Sequence, residues 1–164
     1  SGRFRFAAVA EQAGCSTTIG TDGCASNNNL SMFDEMKCAA LSAKLEAGSP
    51  EAGQAGRVLD CATRAGAEAF GIDAGVIAPG KLADALLVDL NHPAMTPGYH
   101  LISNLVYSAD TAVVRTVICD GRVLMREGVI PGESRIVADL RAAASKFAPL
   151  ALRLNGVGKR NTGE

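Results

Sequence analysis

Tryptophan is absent from this 164-residue chain, and aromatic residues make up only 4% of it. So few rings leave no platform on which nucleic-acid bases could stack. Charge of neither sign dominates: 16 basic and 17 acidic side chains give a net charge of -1. The electrostatic footprint of a nucleic-acid-binding protein is therefore missing. No apolar run approaches the roughly 20 residues of a membrane span. The five cysteines, Cys15, Cys24, Cys38, Cys61 and Cys119, contain no C-x-x-C pair, which excludes a zinc-ribbon or thioredoxin-like motif. Their odd number, scatter and small or apolar neighbours predict a reduced, cytoplasmic protein that uses cysteine as a small hydrophobe. Cys24 stands apart because it lies two residues beyond Asp22, yet no histidine lies near it in sequence to activate a thiol. Histidine is also scarce. His92 and His100 are the only two, both in a proline-containing stretch, and no His-x-His occurs. The opening Ser1-Gly2-Arg3 has neither an initiator Met nor a signal-peptide pattern and reads as the middle of a longer polypeptide.

What is there begins at residues 16–29, Ser-Thr-Thr-Ile-Gly-Thr-Asp-Gly-Cys-Ala-Ser-Asn-Asn-Asn. A short β-branched run ends in one acidic residue, Asp22, followed at once by a small, polar, glycine-containing loop. Strand interiors disfavour Asp, and a buried charge requires a cation or several hydrogen bonds. Two readings of Asp22 stand at this point: the acid of an Asx-turn or helix cap, or a carboxylate set at a strand exit for chemistry.

The surrounding pattern is mixed α/β. Residues 3–13 predict the end of a helix, with Phe6, Val9, Ala10 and Ala13 at helical spacing and Gly14 as its stop. Residues 15–21 predict a short buried strand. Ser31, with Asp34 three residues on, predicts a helix start of the capping-box kind, and Met32, Phe33, Met36, Ala40 and Leu45 form its apolar stripe. Ser49-Pro50-Glu51 predicts another start, with Pro at the first helical position and a break near Gly66. Beyond a turn at Pro79-Gly80, Leu82 to Leu90 predicts a strand. Val113 to Cys119 and Arg122 to Arg126 flank Asp120-Gly121, the signature of a type I′ hairpin. Residues 91–104 predict an irregular connection. Residues 133–148 predict an amphipathic helix carrying Ile136, Val137, Leu140, Ala144 and Phe147, and beyond Pro149 a polar tail, Asn155 to Glu164. By length this is one domain, but so few strands complete no sheet of ordinary size.

In order along the chain, several of these segments resemble the C-terminal part of an amidohydrolase-superfamily enzyme. Gly20-Thr21-Asp22-Gly23, Ala25-Ser26-Asn27-Asn28 and the Met32-Phe33-x-Glu35-Met36 helix are similar to the eighth strand and following helix of methylthioadenosine/S-adenosylhomocysteine deaminases. The triazine hydrolases and guanine-type deaminases share the outline. Ala62-Thr63, Ala65-Gly66-Ala67 and Gly71 resemble the family's next helix. Gly75-Val76-Ile77-Ala78-Pro79-Gly80-Lys81-Leu82-Ala83-Asp84 resembles its passage from barrel to flanking β-sandwich. Ser103-Asn104-Leu105-Val106-Tyr107 and Val117-Ile118-Cys119-Asp120-Gly121-Arg122 resemble later parts of that sandwich.

The resemblance implies the end of a (β/α)8 metallo-dependent hydrolase barrel, part of a small β-sandwich and a C-terminal helix. Residues 1–72 would hold the barrel's last helix, eighth strand and following helices, 73–130 the sandwich segment, and 131–164 the helix and tail. It implies one divalent metal, zinc or alternatively iron, held in the family by four histidines and one Asp. Only that Asp, Asp22, falls in this chain. Asp22 is thus the expected metal ligand, catalytic proton acceptor and substrate contact, and Ser26 a second substrate contact. The implied reaction is hydrolytic deamination of an adenosine derivative by metal-bound hydroxide at the amidine carbon. The chain alone lacks most of that site and is expected to be inactive. Its expected partners are a small purine nucleoside-like substrate and further copies of itself, with no nucleic acid and no membrane. The loop 25–28 serves either as a substrate contact or as a helix entry, and Lys81 and Asp84 as turn and strand-start residues. The alternatives are a triazine- or guanine-type amidohydrolase, or a non-catalytic, self-associating module derived from the same segment.

Overall fold

The computed structural model describes residues 16–157, with side chains described as far as residue 147. The helix expected over 3–13, its stop at Gly14 and the first residue of the expected strand lie outside the described residues. The chain divides into two compact units, one ending at Val129 and one beginning at Ile130.

In the first unit, helix α1 spans Met32–Ala47. Ser31 caps it, its hydroxyl accepting from the Asp34 amide at 3.3 Å. The return arm of a capping box is absent: Asn29 Oδ1 accepts from the Ser31 amide at 2.9 Å, and Asn29 Nδ2 donates to Asp34 Oδ2 at 3.0 Å. Asn29 thus takes the Ser31 amide and holds the Asp34 carboxylate. Phe33, Met36, Ala40 and Ala43 face the core. Leu45, expected in that stripe, is 84% exposed, because Ala43 rather than Leu45 continues the buried side.

The start signal at Pro50 is overruled. Residues 49–53 form turns, and helix α2 runs Ala55–Ala62. Gly53 sets the delay: its φ is 60°, and a Cβ there would lie 2.8 Å from Ala43 Cβ and 2.9 Å from the Ala40 carbonyl oxygen. The loop thus presses on α1 where only glycine fits. Lys44 Nζ donates to the carbonyls of Pro50 (2.6 Å) and Ala52 (2.7 Å), and the Tyr107 hydroxyl donates to the Gly53 carbonyl at 3.2 Å.

Helix α3 spans Arg64–Ala69, so the break falls at Thr63 and not at Gly66. Thr63 has φ -131° and ψ -93°, outside helical values. Its hydroxyl donates to the Leu59 carbonyl at 2.8 Å. The left-handed Gly75 lies against this break: a Cβ there would meet Arg64 Cα at 2.7 Å and the Thr63 carbonyl oxygen at 3.1 Å.

Strands β1 (Ala85–Val88), β2 (Val114–Cys119) and β3 (Arg122–Met125) form an antiparallel sheet in the order β1-β2-β3. β1 is shorter than the expected Leu82 to Leu90. Asp120 (φ 48°) and Gly121 (φ 73°) both occupy the left-handed region that a type I′ turn requires. Between β1 and β2 the expected irregular connection is a 3-10 turn, Pro93–Met95, followed by helix α4, Leu101–Tyr107. One core joins Phe33, Met36, Ala40, Ala43, Val58 and Cys61 to Met95, Val106, Ala109 and Val113.

In the second unit, helix α5 runs Glu133–Val157, past Pro149 and into the stretch expected as a polar tail. Ile136, Val137, Leu140 and Phe147 are all exposed, Leu140 and Phe147 at 66% each.

Candidate active site

Among the described residues, 16–21 form no strand, which corrects the expected one. A strand needs neighbours to pair its backbone, and the tie seen here is the Ile19 amide donating to the Cys61 carbonyl at 3.0 Å. Ile19 packs on the core, and Thr17 is 5% exposed with its hydroxyl unpaired among the described residues. The run is therefore anchored along α2 and ends at the candidate site.

Asp22 takes φ 57°, a left-handed backbone that Asp and Asn tolerate better than most residues. Its Oδ1 accepts from the Gly23 amide at 2.7 Å, and the Thr21 hydroxyl donates to its carbonyl at 3.2 Å. The chain then closes a tight turn, with the Ser26 and Asn27 amides both donating to the Gly23 carbonyl at 2.9 Å. The Asn27 side-chain amide donates to the Thr21 carbonyl (3.0 Å) and to Glu35 Oε1 on α1 (2.6 Å). Asp22 and Ser26 are exposed. Asp22 and Ser26 thus sit on one loop. That loop's Asn27 amide is turned inward to hold the turn, so it is not available to a substrate. The Asn27–Glu35 link is additional to the residues that the sequence pattern singles out. Its signal was the amide in the loop and the acid one turn into the helix.

The remaining candidates serve the fold. Lys81 Nζ pairs with Asp73 at 2.9 Å, holding the Asp73 carboxyl below its usual range. Asp84 Oδ1 accepts from the Asp120 amide at 2.7 Å and so ties the hairpin turn to the start of β1. His92 Nδ1 accepts from the Ala94 amide at 3.2 Å, capping the 3-10 turn, and His100 is exposed ahead of α4. Cys24, Cys38 and Cys119 are exposed and Cys61 is buried. The expectation of apolar, core-like cysteines therefore holds for Cys61 alone among these four. Desolvation pushes its thiol above the ordinary range.

No group of three or more His, Cys, Asp or Glu among the described residues could hold a metal ion. A tight transition-metal site takes about four donors. The described residues therefore do not make a metal site by themselves; Asp22 offers one carboxylate.

Comparison with known proteins fixes the class. The model of the amidohydrolase family matches residues 1–124, and the chain belongs to that family. It is 50% identical over 135 residues to a 5'-deoxyadenosine deaminase of Methanothermobacter thermautotrophicus, covering 82% of this chain and 32% of the relative. It is 44% identical over 160 residues to 5-methylthioadenosine/S-adenosylhomocysteine deaminase 1 of Archaeoglobus fulgidus, covering 98% and 35%. Among solved structures, an adenosine deaminase from Xanthomonas campestris with bound zinc superposes with a TM-score of 0.76 at 36% identity, over 81% of this chain and 31% of that one. The atrazine chlorohydrolase TrzN from Arthrobacter aurescens TC1, complexed with zinc, gives 0.71 at 27% identity, over 79% and 30%. The chain thus spans about a third of the length of the curated relatives it matches.

Proposed function

We propose that this chain is a segment of a metal-dependent hydrolytic deaminase acting on adenosine derivatives such as methylthioadenosine or S-adenosylhomocysteine. Its Asp22 is the one ligand and proton acceptor that the segment contributes. The observation that carries this is the backbone of Asp22: a left-handed acid held between Thr21 and Gly23 by hydrogen bonds on both sides. Unusual backbone held in place by its surroundings clusters at functional sites. One carboxylate oxygen is occupied by the Gly23 amide, and among the described residues the other accepts no hydrogen bond. When bound, a divalent ion, zinc or alternatively iron, acidifies water toward neutrality, and a carboxylate beside it can take up the proton. Ser26, exposed on the same loop, is the second proposed substrate contact. The kinship of the named deaminases and the zinc in the solved neighbours support this reading. A cytoplasmic location and self-association of the intact protein, rather than of this segment alone, complete it. The proposed layout is the end of a barrel through residue 72, a sandwich segment over 73–130, and the helix and tail beyond.

The test is Asp22→Asn in the intact protein that carries this chain. Asparagine shares the tolerance for left-handed backbone, so the variant changes charge and basicity with little change in conformation. Folding stays near that of the parent and turnover of methylthioadenosine is lost; unchanged turnover overturns the assignment.

A second reading, a self-associating module without catalysis, is favoured by the exposed Ile136, Leu140 and Phe147 of α5. Sedimentation of the 164-residue chain separates the two. A well-folded dimer without deaminase activity supports the module, whereas a proteolytically sensitive or aggregating chain supports the segment.

A further inference from the structure

The Asn27 side chain spends both amide hydrogens on structure: one goes to the Thr21 carbonyl at 3.0 Å, the other to Glu35 Oε1 at 2.6 Å. The Thr21 carbonyl belongs to the peptide bond that leads into Asp22. Whatever holds that carbonyl fixes the peptide plane from which the Asp22 side chain departs. Glu35 lies on the first turn of α1, a helix seated in the core through Phe33 and Met36. An unbroken line therefore runs from buried packing through Glu35 and Asn27 to the backbone at Asp22. Asn27 is anchored a second way, its own amide donating to the Gly23 carbonyl at 2.9 Å. The Asp22–Gly23 dipeptide is thus gripped from both sides by one residue.

Resting on the assignment of Asp22 above, we propose that Asn27 and Glu35 are positioning residues for catalysis, a clamp that fixes the Asp22 backbone and hence the direction of its carboxylate. Neither touches the reacting atoms. Because the helix anchors the acid member, the amide can hold the peptide in one orientation while a flexible glycine follows. Asn suits the task because it presents two donors from one planar group. Glu35 needs only to accept, so its charge is dispensable while its carbonyl-type oxygen is not.

The experiment uses the intact protein that carries this chain, with hydrogen-exchange mass spectrometry and steady-state kinetics on methylthioadenosine. Asn27→Ala removes both of these side-chain bonds and should raise exchange in the peptide covering residues 20–28 by at least about fivefold, the effect of losing even one ordinary hydrogen bond. The peptide covering residues 37–44 of α1 should be unchanged. The same variant should lower kcat by about 10–100-fold, the usual cost of removing a group that orients a ligand, with KM within about threefold. Glu35→Ala should shift both readouts the same way, and Glu35→Gln, which keeps an acceptor, should restore both. Unchanged kcat in Asn27→Ala overturns the clamp. So does exchange that rises equally over 37–44, because the residue then serves fold stability alone. If Asp22→Asn retains turnover while Asn27→Ala loosens residues 20–28 alone, the role of Asp22 fails and the catalytic role of the clamp with it. If Asp22→Asn abolishes turnover and Asn27→Ala does nothing, only the clamp fails.

Discussion

At the scale of single residues, three positions away from the candidate site make firm predictions. Gly53→Ala places a Cβ against Ala43 and the Ala40 carbonyl in a left-handed backbone. Overpacking of this kind costs about 1–3 kcal/mol, with the conformational penalty added, and a chemical-denaturation midpoint reads it directly. Thr17 carries a buried hydroxyl that pairs with nothing among the described residues. A buried polar group without a partner is costly, so Thr17→Val should leave the isolated chain unchanged or stabilise it by about 1 kcal/mol. Cys61 is the third. Burial raises its thiol above 9.0, so the folded state keeps a proton that the unfolded state releases first. Its contribution is therefore present below pH 9.0 and is lost as pH rises through the folded value. Stability measured against pH should fall less steeply above that point in Cys61→Ala than in the parent. The same burial should make Cys61 slower to alkylate than Cys24, Cys38 or Cys119.

At the scale of elements, short-range chemistry was legible and competition between signals was not. Ser31 named the start of α1, and Asp120-Gly121 named a turn whose two left-handed residues the structure shows. Ser31→Ala should cost about 1 kcal/mol, measured by thermal or chemical unfolding. Pro50 was a sound start signal that lost to tertiary packing, because the loop bearing it is pressed onto α1 through Gly53 and tied there by Lys44 and Tyr107. Gly66 is the residue of lowest helix propensity in its helix, yet the break falls at Thr63, where Gly75 folds back from beyond the end of α3. No local pattern encodes that approach. Pro149 carries the local chemistry of a helix end, and α5 continues through it. For the candidate site, Asp22 stood out from sequence because an acid after a β-branched run is unusual. The Asn27–Glu35 link did not, since asparagine in a loop and glutamate in a first helical turn each have commoner local uses.

At the scale of the whole molecule, the chain accounts for about a third of the length of its curated relatives. Its apolar surface fits that proportion: Leu41 and Leu45 on α1, Leu86 and Leu87 on β1, and the face of α5 all stand exposed. Patches of this kind are the usual mark of surfaces that meet other protein. The isolated chain, with one candidate metal-binding carboxylate and no metal-binding group among the described residues, should show no chelator-sensitive deamination of methylthioadenosine. Zinc titration by calorimetry should show no tight binding. Chelator-inhibited turnover by the isolated chain would overturn the reading of it as a segment.

The shared core has one more consequence, for how the chain comes apart. Phe33, Met36, Val58 and Cys61 lie before the exposed stretch around Ile77 to Lys81, while Met95, Val106 and Val113 lie after it, and all belong to one packed cluster. Each of those later side chains contributes about 1.5–3 kcal/mol by staying out of water. A single tryptic cut after Lys81 should therefore release no fragment: the two products should elute together on gel filtration and part only in denaturant. Evolution and cloning face the same constraint, since neither half can be moved to a new setting without leaving the other's side chains bare.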